Sequence, residues 1–293
     1  MNGRKLFWRG GVALALVLGG SLAAPAGPAS AANIINTFKT TPTSGMNSTS
    51  PKSVTVTCPN NTFLYGPGAA IQGGNGQVTL ETMRPMGAAN PTSAVVTAHE
   101  VGSYSGNWSL TATANCGPAV TNLHVEPGLL DPVDSDRVKE SDAACPEGQK
   151  LYGNGFDIIG GLGNVFVHDI ITTGALSLRS NTVRATEHGT YTQSWSLRSY
   201  AVCGNAASTQ ERIIRVSATD STAEKSANRS CPVGTEAHGA GAQVTGDTVD
   251  LDGRLTIDRV VAGEFNGLAI GHENGTVNDS WSVTMYVVCA SAT

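Results

Sequence analysis

The chain predicts an all-β fold of three homologous units, each of about four to five strands closed by one disulfide. Three observations predict it. Six Cys fall into three pairs, Cys58–Cys116, Cys145–Cys203 and Cys231–Cys289, with one common spacing in sequence. A set of other residues repeats in the same register, at a period of about 87 residues. The segment leading into each second Cys alternates with period two, the mark of a strand with one buried face.

Composition agrees with this. Of 293 residues, 35 are Gly and only 14% are charged, which excludes coiled coils and helical bundles rich in Glu, Lys and Leu. The hydrophobic fraction of 40% excludes a disordered chain. A net charge of −5 argues against electrostatic binding to nucleic acid or to an anionic membrane.

In chain order, residues 1–31 read as a secretory signal peptide. Arg4, Lys5 and Arg9 precede a short apolar run from Val12 to Leu22, and Ala29-Ser30-Ala31 supplies a small-residue cleavage site. Export would place the Cys where disulfides persist, so the expected location is extracellular, with no membrane insertion. The three units then span 32–118, 119–205 and 206–293.

Each unit follows the pattern K-x5-C-P-x6-G-x-G … E-x-G-x5-W-S-[LV]-x5-C. The Lys are Lys52, Lys139 and Lys225; the paired Gly are Gly66 and Gly68, Gly153 and Gly155, and Gly239 and Gly241. Ser53 to Thr57 reads as a strand into Cys58. Further strands are expected at Gln77 to Met83, Asn164 to Ile171 and Arg254 to Val261, and at Ala94 to Glu100, Asn181 to Glu187 and Gly267 to Glu273. Ile34 to Phe38, Leu123 to Glu126 and Arg212 to Val216 lead into the units. The paired Gly mark a bulge or a close backbone approach. Leu129 to Lys139 is the best helix candidate, weakened by Pro132.

In the closing strands, Trp108, Trp195 and Trp281 share a face with the second Cys. Two readings follow: a Trp packed in the core on the disulfide, or a platform for sugar rings. Pairing the Cys within units is the simple scheme that treats all three alike, and each loop contributes about 4 kcal/mol in the chain-entropy model.

The C-P step, the paired Gly and the closing W-S-L…C strand are similar to repeats of secreted actinobacterial triple-repeat β proteins of uncharacterised function. The chain also distantly resembles the vitelline membrane outer layer protein, a β-prism of three four-stranded sheets. That resemblance implies a pseudo-threefold, prism-like assembly. Three tandem β-sandwich domains are the alternative; the Trp position departs from immunoglobulin-type domains.

Catalytic patterns are not met. Gly102-Ser103-Tyr104-Ser105-Gly106 has Tyr at the centre where a nucleophile elbow needs Ser. The six His show no zinc spacing, and no cofactor is expected. Asp247, Asp250 and Asp252 form an acidic loop that reads as a solvated turn or a weak Ca²⁺ site. Glu100, Glu187 and Glu273 sit at strand ends on the apolar face, where a carboxylate needs a partner. The expected partners are Lys52, Lys139 and Lys225. As ligand-binding candidates the chain offers Glu100, Glu187 and Glu273, with His99 and His272 beside two of them. Unit symmetry breaks at Arg84, at His168-Asp169 and at Asp247 to Asp252. The expected function is a non-enzymatic, lectin-like binder of cell-wall or extracellular polysaccharide. Alternatives are an inhibitor or accessory subunit of another secreted protein, and a hydrolase with its site in one repeat.

Overall fold

Strands dominate because the chain alternates, carries Gly at its turns and lacks runs of helix formers. A computed structural model describes residues 37–40, 43–173, 178–205, 209–246 and 253–291; the signal-peptide and Asp247, Asp250 and Asp252 expectations lie outside them.

Eighteen strands are described, six per unit. Unit one supplies β1 (Thr37–Thr40), β2 (Lys52–Thr57), β3 (Phe63–Gln72), β4 (Val78–Met86), β5 (Ser93–Glu100) and β6 (Ser109–Gly117). Unit two supplies β7 (His124–Pro127), β8 (Val138–Ala144), β9 (Gln149–Ile159), β10 (Val165–Thr173), β11 (Ser180–Glu187) and β12 (Ser196–Asn205). Unit three supplies β13 (Gln210–Val216), β14 (Glu224–Ser230), β15 (Thr235–Gly246), β16 (Leu255–Ala262), β17 (Asn266–Glu273) and β18 (Trp281–Ser291). The helix considered for Leu129 to Lys139 is not formed; that stretch is irregular until β8 begins at Val138.

The strands build three six-stranded sheets: β1-β6-β3-β16-β17-β14, β13-β18-β15-β10-β11-β8 and β2-β5-β4-β9-β12-β7. Every sheet takes three strands from one unit and three from another. The halves meet along antiparallel seams: Ala69 and Ala70 face Val260 and Arg259, Met83 and Thr82 face Phe156 and Asp157, and Ile170 and Asp169 face Ala242 and Gln243. Three tandem sandwiches are therefore not the arrangement. The units are interleaved in one compact body with a pseudo-threefold axis.

The expectation of four to five strands per unit falls short because β3, β9 and β15 carry the paired Gly. These strands carry Gly, with Ala as well in β3 and β15, and are buried on both faces, so they show no alternation. Their Gly are required by close approach. A Cβ on Gly153 would lie 2.4 Å from the Tyr65 carbonyl oxygen and 2.5 Å from Gly66 Cα, and one on Gly239 would lie 2.6 Å from Gly153 Cα. The first Gly of each pair thus meets its counterparts at the axis. The second Gly lies at the seam: a Cβ on Gly241 would lie 2.2 Å from the Ile170 carbonyl, and one on Gly155 2.4 Å from the Met83 carbonyl.

The disulfides are Cys58–Cys116, Cys145–Cys203 and Cys231–Cys289, as the repeat requires. Trp108, Trp195 and Trp281 are fully buried, together with Leu80, Met83, Leu110 and Phe156. That burial removes the sugar-platform reading of the Trp. No helix among the described residues is long and apolar enough to cross a membrane.

Candidate functional site

The repeated polar residues are the natural place to look for a site, and the structure turns them inward. Glu100 accepts the Trp108 indole N–H at 2.7 Å, Glu187 that of Trp195 at 2.9 Å and Glu273 that of Trp281 at 2.9 Å. Strand alternation puts Glu and indole on the core side, and the common spacing of eight residues brings them together across the connecting turn.

The expected Lys–Glu ion pairs do not form. Each ammonium instead lies over the indole face: Lys52 at 4.6 Å from the Trp108 ring centre, Lys139 at 5.2 Å from Trp195 and Lys225 at 5.3 Å from Trp281. A cation is attracted to the ring face while the N–H edge points to the carboxylate. Each Lys also bonds the side chain five residues upstream: Asn47, Asp134 or Asp220. Those upstream residues bridge the Trp backbone as well. Lys139 and its hydrogen bonds lower the Asp134 carboxyl, and Lys225 does the same for Asp220. Burial pushes Lys52 down against the raising pull of Glu100. The repeated Lys, Trp and Glu are thus engaged with one another.

A second set of polar residues faces away from the core. In β4, Leu80 and Met83 both lie in the core although they are three residues apart, because Glu81 is a β-bulge. The same holds for Val167 and Ile170 around His168, and for Ile257 and Val260 around Asp258. An inserted residue re-aims its side chain. The three bulges therefore present Glu81, His168 and Asp258 at equivalent points beside the three seams.

Each has a partner from the neighbouring strand. His99 Nε2 lies 3.0 Å from Glu81 Oε2, Thr186 Oγ1 lies 2.9 Å from His168 Nε2, and His272 Nδ1 lies 2.8 Å from Asp258 Oδ2. In unit one the Gly163 N–H, from the loop after β9, donates to Glu81 Oε1 at 2.7 Å. Burial raises Glu81 to about 7, with the Asp157 charge adding to it and the Gly163 N–H opposing it. Burial lowers His99. In unit three Glu224 Oε2 lies 2.9 Å from His272 Nε2, and Thr256 donates to Asp258 at 2.8 Å. Burial alone would lower His272, but Asp258 and Glu224 outweigh it and raise it.

The seams differ in what surrounds the bulge. At the β4–β9 seam, Arg84 pairs with Asp157 at 3.1 Å and Thr82 donates to the same carboxylate at 2.8 Å. At the β10–β15 seam, Arg184 lies 3.6 Å from Asp169, the Tyr286 hydroxyl donates to Gln243 at 2.7 Å, and Arg212 stacks over Tyr286. At the β3–β16 seam the equivalent residues are small. Ala70 stands where Asp157 and Gln243 stand, and Thr113 stands where Tyr200 and Tyr286 stand. Two hollows open there. One of about 320 Å³ lies among Thr43, Thr111, Thr113, Val261 and Leu268; one of about 170 Å³ lies among Gln72, Asn75, Glu224, Asp258 and His272. Arg259 lines both.

The sequence reading placed His99, His272, Arg84 and His168-Asp169 at points that prove to belong to the seams. It missed Glu81, Asp157, Asp258 and Arg259. One signal was available: three residues after Val78, Val165 and Leu255 the side chain is ionisable in every unit. Among the described residues no cluster of three or more His, Cys, Asp or Glu could hold a metal ion. The sequence matches no protein-family model and no curated protein.

Proposed function

We propose that the protein is a secreted, non-enzymatic, lectin-like binder of cell-wall or extracellular polysaccharide. One observation carries this reading: three seams of the same backbone geometry face outward on three sheets, each anchored by a bulge and lined by a different polar set. Two hollows at the β3–β16 seam and partly exposed polar pairs at the other two suit a polymer that lies along the body and touches several of them at once. Linked weak contacts then supply avidity that one groove lacks. Three disulfides support export to an oxidising compartment.

Retention of the mature protein on insoluble cell-wall or capsular polysaccharide, with half-saturation weakened by soluble fragments of the same polymer, is the expected result. Passage through every polysaccharide resin and silence on a glycan array would overturn the proposal.

A second reading, a protein-interaction factor, is favoured by one feature. Leu129, Val133 and Val138 are exposed beside β8, which is an edge strand. Exposed apolar residues at a sheet edge suit a protein partner. Co-purification of a stoichiometric partner from the culture medium would favour it.

A further inference from the structure

Resting on the polysaccharide reading, we infer that the β3–β16 seam is the principal saccharide subsite and that Arg259 anchors a sugar carboxylate there. The ligand class is an acidic saccharide of the uronate type.

The guanidinium carries the argument. Arg84 and Arg184 are paired with carboxylates at the other two seams. The Arg259 guanidinium makes no hydrogen bond and no ion pair with any described residue, although the residue is partly buried and lines both hollows. The acids nearest in sequence and space are otherwise engaged. Asp258 is held by His272 and Thr256, and Glu224 faces the other nitrogen of His272. His272 lies between those two carboxylates, 2.8 Å from Asp258 and 2.9 Å from Glu224.

The remaining lining fits a sugar. Thr43, Thr111 and Thr113 bring hydroxyls, while Val261, Leu268 and Ala70 form an apolar floor. About 320 Å³ lies at the small end of the range for ligand pockets, roughly 300–1,000 Å³, and suits one or two rings of a longer chain. A guanidinium fork matches a carboxylate in two parallel hydrogen bonds, which an ammonium does not reproduce. At the other two seams the same space holds the Arg84–Asp157 pair and the Tyr286–Gln243 pair.

Calorimetric titration of the mature protein with a uronate oligosaccharide and with its neutral, carboxyl-reduced counterpart tests this. The expected result is binding of the acidic oligomer about 10- to 100-fold tighter than the neutral one, the range for a charge-assisted pair. Arg259→Gln should bring the acidic oligomer down to the neutral affinity, and Arg259→Lys should restore only part of the difference. Arg229→Gln, on β14 outside both hollows, should change nothing. Equal binding of both oligomers, unaffected by Arg259→Gln in a protein with unchanged circular dichroism, would overturn the assignment of Arg259 while leaving saccharide binding intact. Binding of neither oligomer, with no retention on polysaccharide resins, would overturn both.

Discussion

At the scale of single residues, the fold spends its rarest chemistry on holding itself together. Each Trp fills the core with its rings, gives its N–H to a Glu and its π-face to a Lys. Burying the indole without an acceptor would leave a donor unsatisfied. Glu187→Met removes the acceptor while keeping the volume, and should cost about 1–3 kcal/mol in urea unfolding. An unchanged midpoint would mean that the Glu is dispensable to the core. His238 is a second case. It is the bulged residue of unit three at the axis, where units one and two place Tyr65 and Tyr152, and the three rings lie 5.1–5.4 Å apart. Both phenols find carbonyls, at Pro118 and Asn205, whereas neither His238 nitrogen has a hydrogen-bond partner among the described residues. Burial lowers His238 from 6.5 to about 3. Between those values the unfolded chain binds the proton and the folded chain does not. Stability conferred by the neutral ring is therefore full above pH 6.5 and is lost progressively as pH falls towards 3. His238→Phe should flatten that acid slope, with a gain that grows as pH falls from 6.5 towards 3, as read by denaturant midpoints across pH. Parallel slopes in the two proteins would show that the ring titrates normally.

At the scale of elements, legibility followed side-chain alternation. The closing strands β6, β12 and β18 were readable because Trp, apolar residues and Cys recur at every second position. Strands β3, β9 and β15 were not, because burial on both faces leaves no alternation, and the bulged Tyr65, Tyr152 and His238 shift the period midway. The paired Gly did announce a close approach, but what approaches comes from another unit, which spacing within one unit does not reveal. The candidate site divided along the same line. His99 and His272 were visible beside the repeated Glu. Their true partners, Glu81 and Asp258, lie across a bulge on another strand, and Asp157 lies across a seam in another unit. The seam Gly give this scale its test. An Ala at position 241 would set its Cβ 2.2 Å from the Ile170 carbonyl, so β15 and β10 must separate locally. Gly241→Ala should cost about 1–3 kcal/mol or more, the range for overpacking a tight contact. Gly234→Ala, at a turn with nothing near its Cβ, controls for backbone effects, since its positive φ strains Ala without any clash. If the two variants lose equal stability, close approach at the seam is not the reason for the repeated Gly.

At the scale of the whole molecule, the interleaving decides how the chain can fold. Unit one pairs with unit two through β4 and β9, unit two with unit three through β10 and β15, and unit three returns to unit one through β16 and β3. The last contact joins Ala69 and Ala70 of the first unit to Val260 and Arg259 of the third, so the ring closes only when all three units are present. Each disulfide staples its own unit, yet each links strands that belong to different sheets or their approaches, so the staples shorten the search without completing any sheet. A single unit would hold two half-sheets, with a seam edge of each exposed and a core open on one side. Residues 32–205 lack the third unit, so β3 and β10 lose their seam partners and the axis loses one of its three sets of lining residues, Gly239 and His238. This fragment, with its disulfides formed, should show weak near-ultraviolet circular dichroism and bind a hydrophobic dye. Residues 32–293 should melt in one transition whose calorimetric and van't Hoff enthalpies agree. Tandem self-sufficient domains would behave otherwise, with a folded fragment and a calorimetric enthalpy well above the van't Hoff value. Because the β3–β16 seam exists only after closure, the groove around Arg259 should be absent from the fragment, and the acidic-saccharide affinity proposed for it should be lost in step with the third unit.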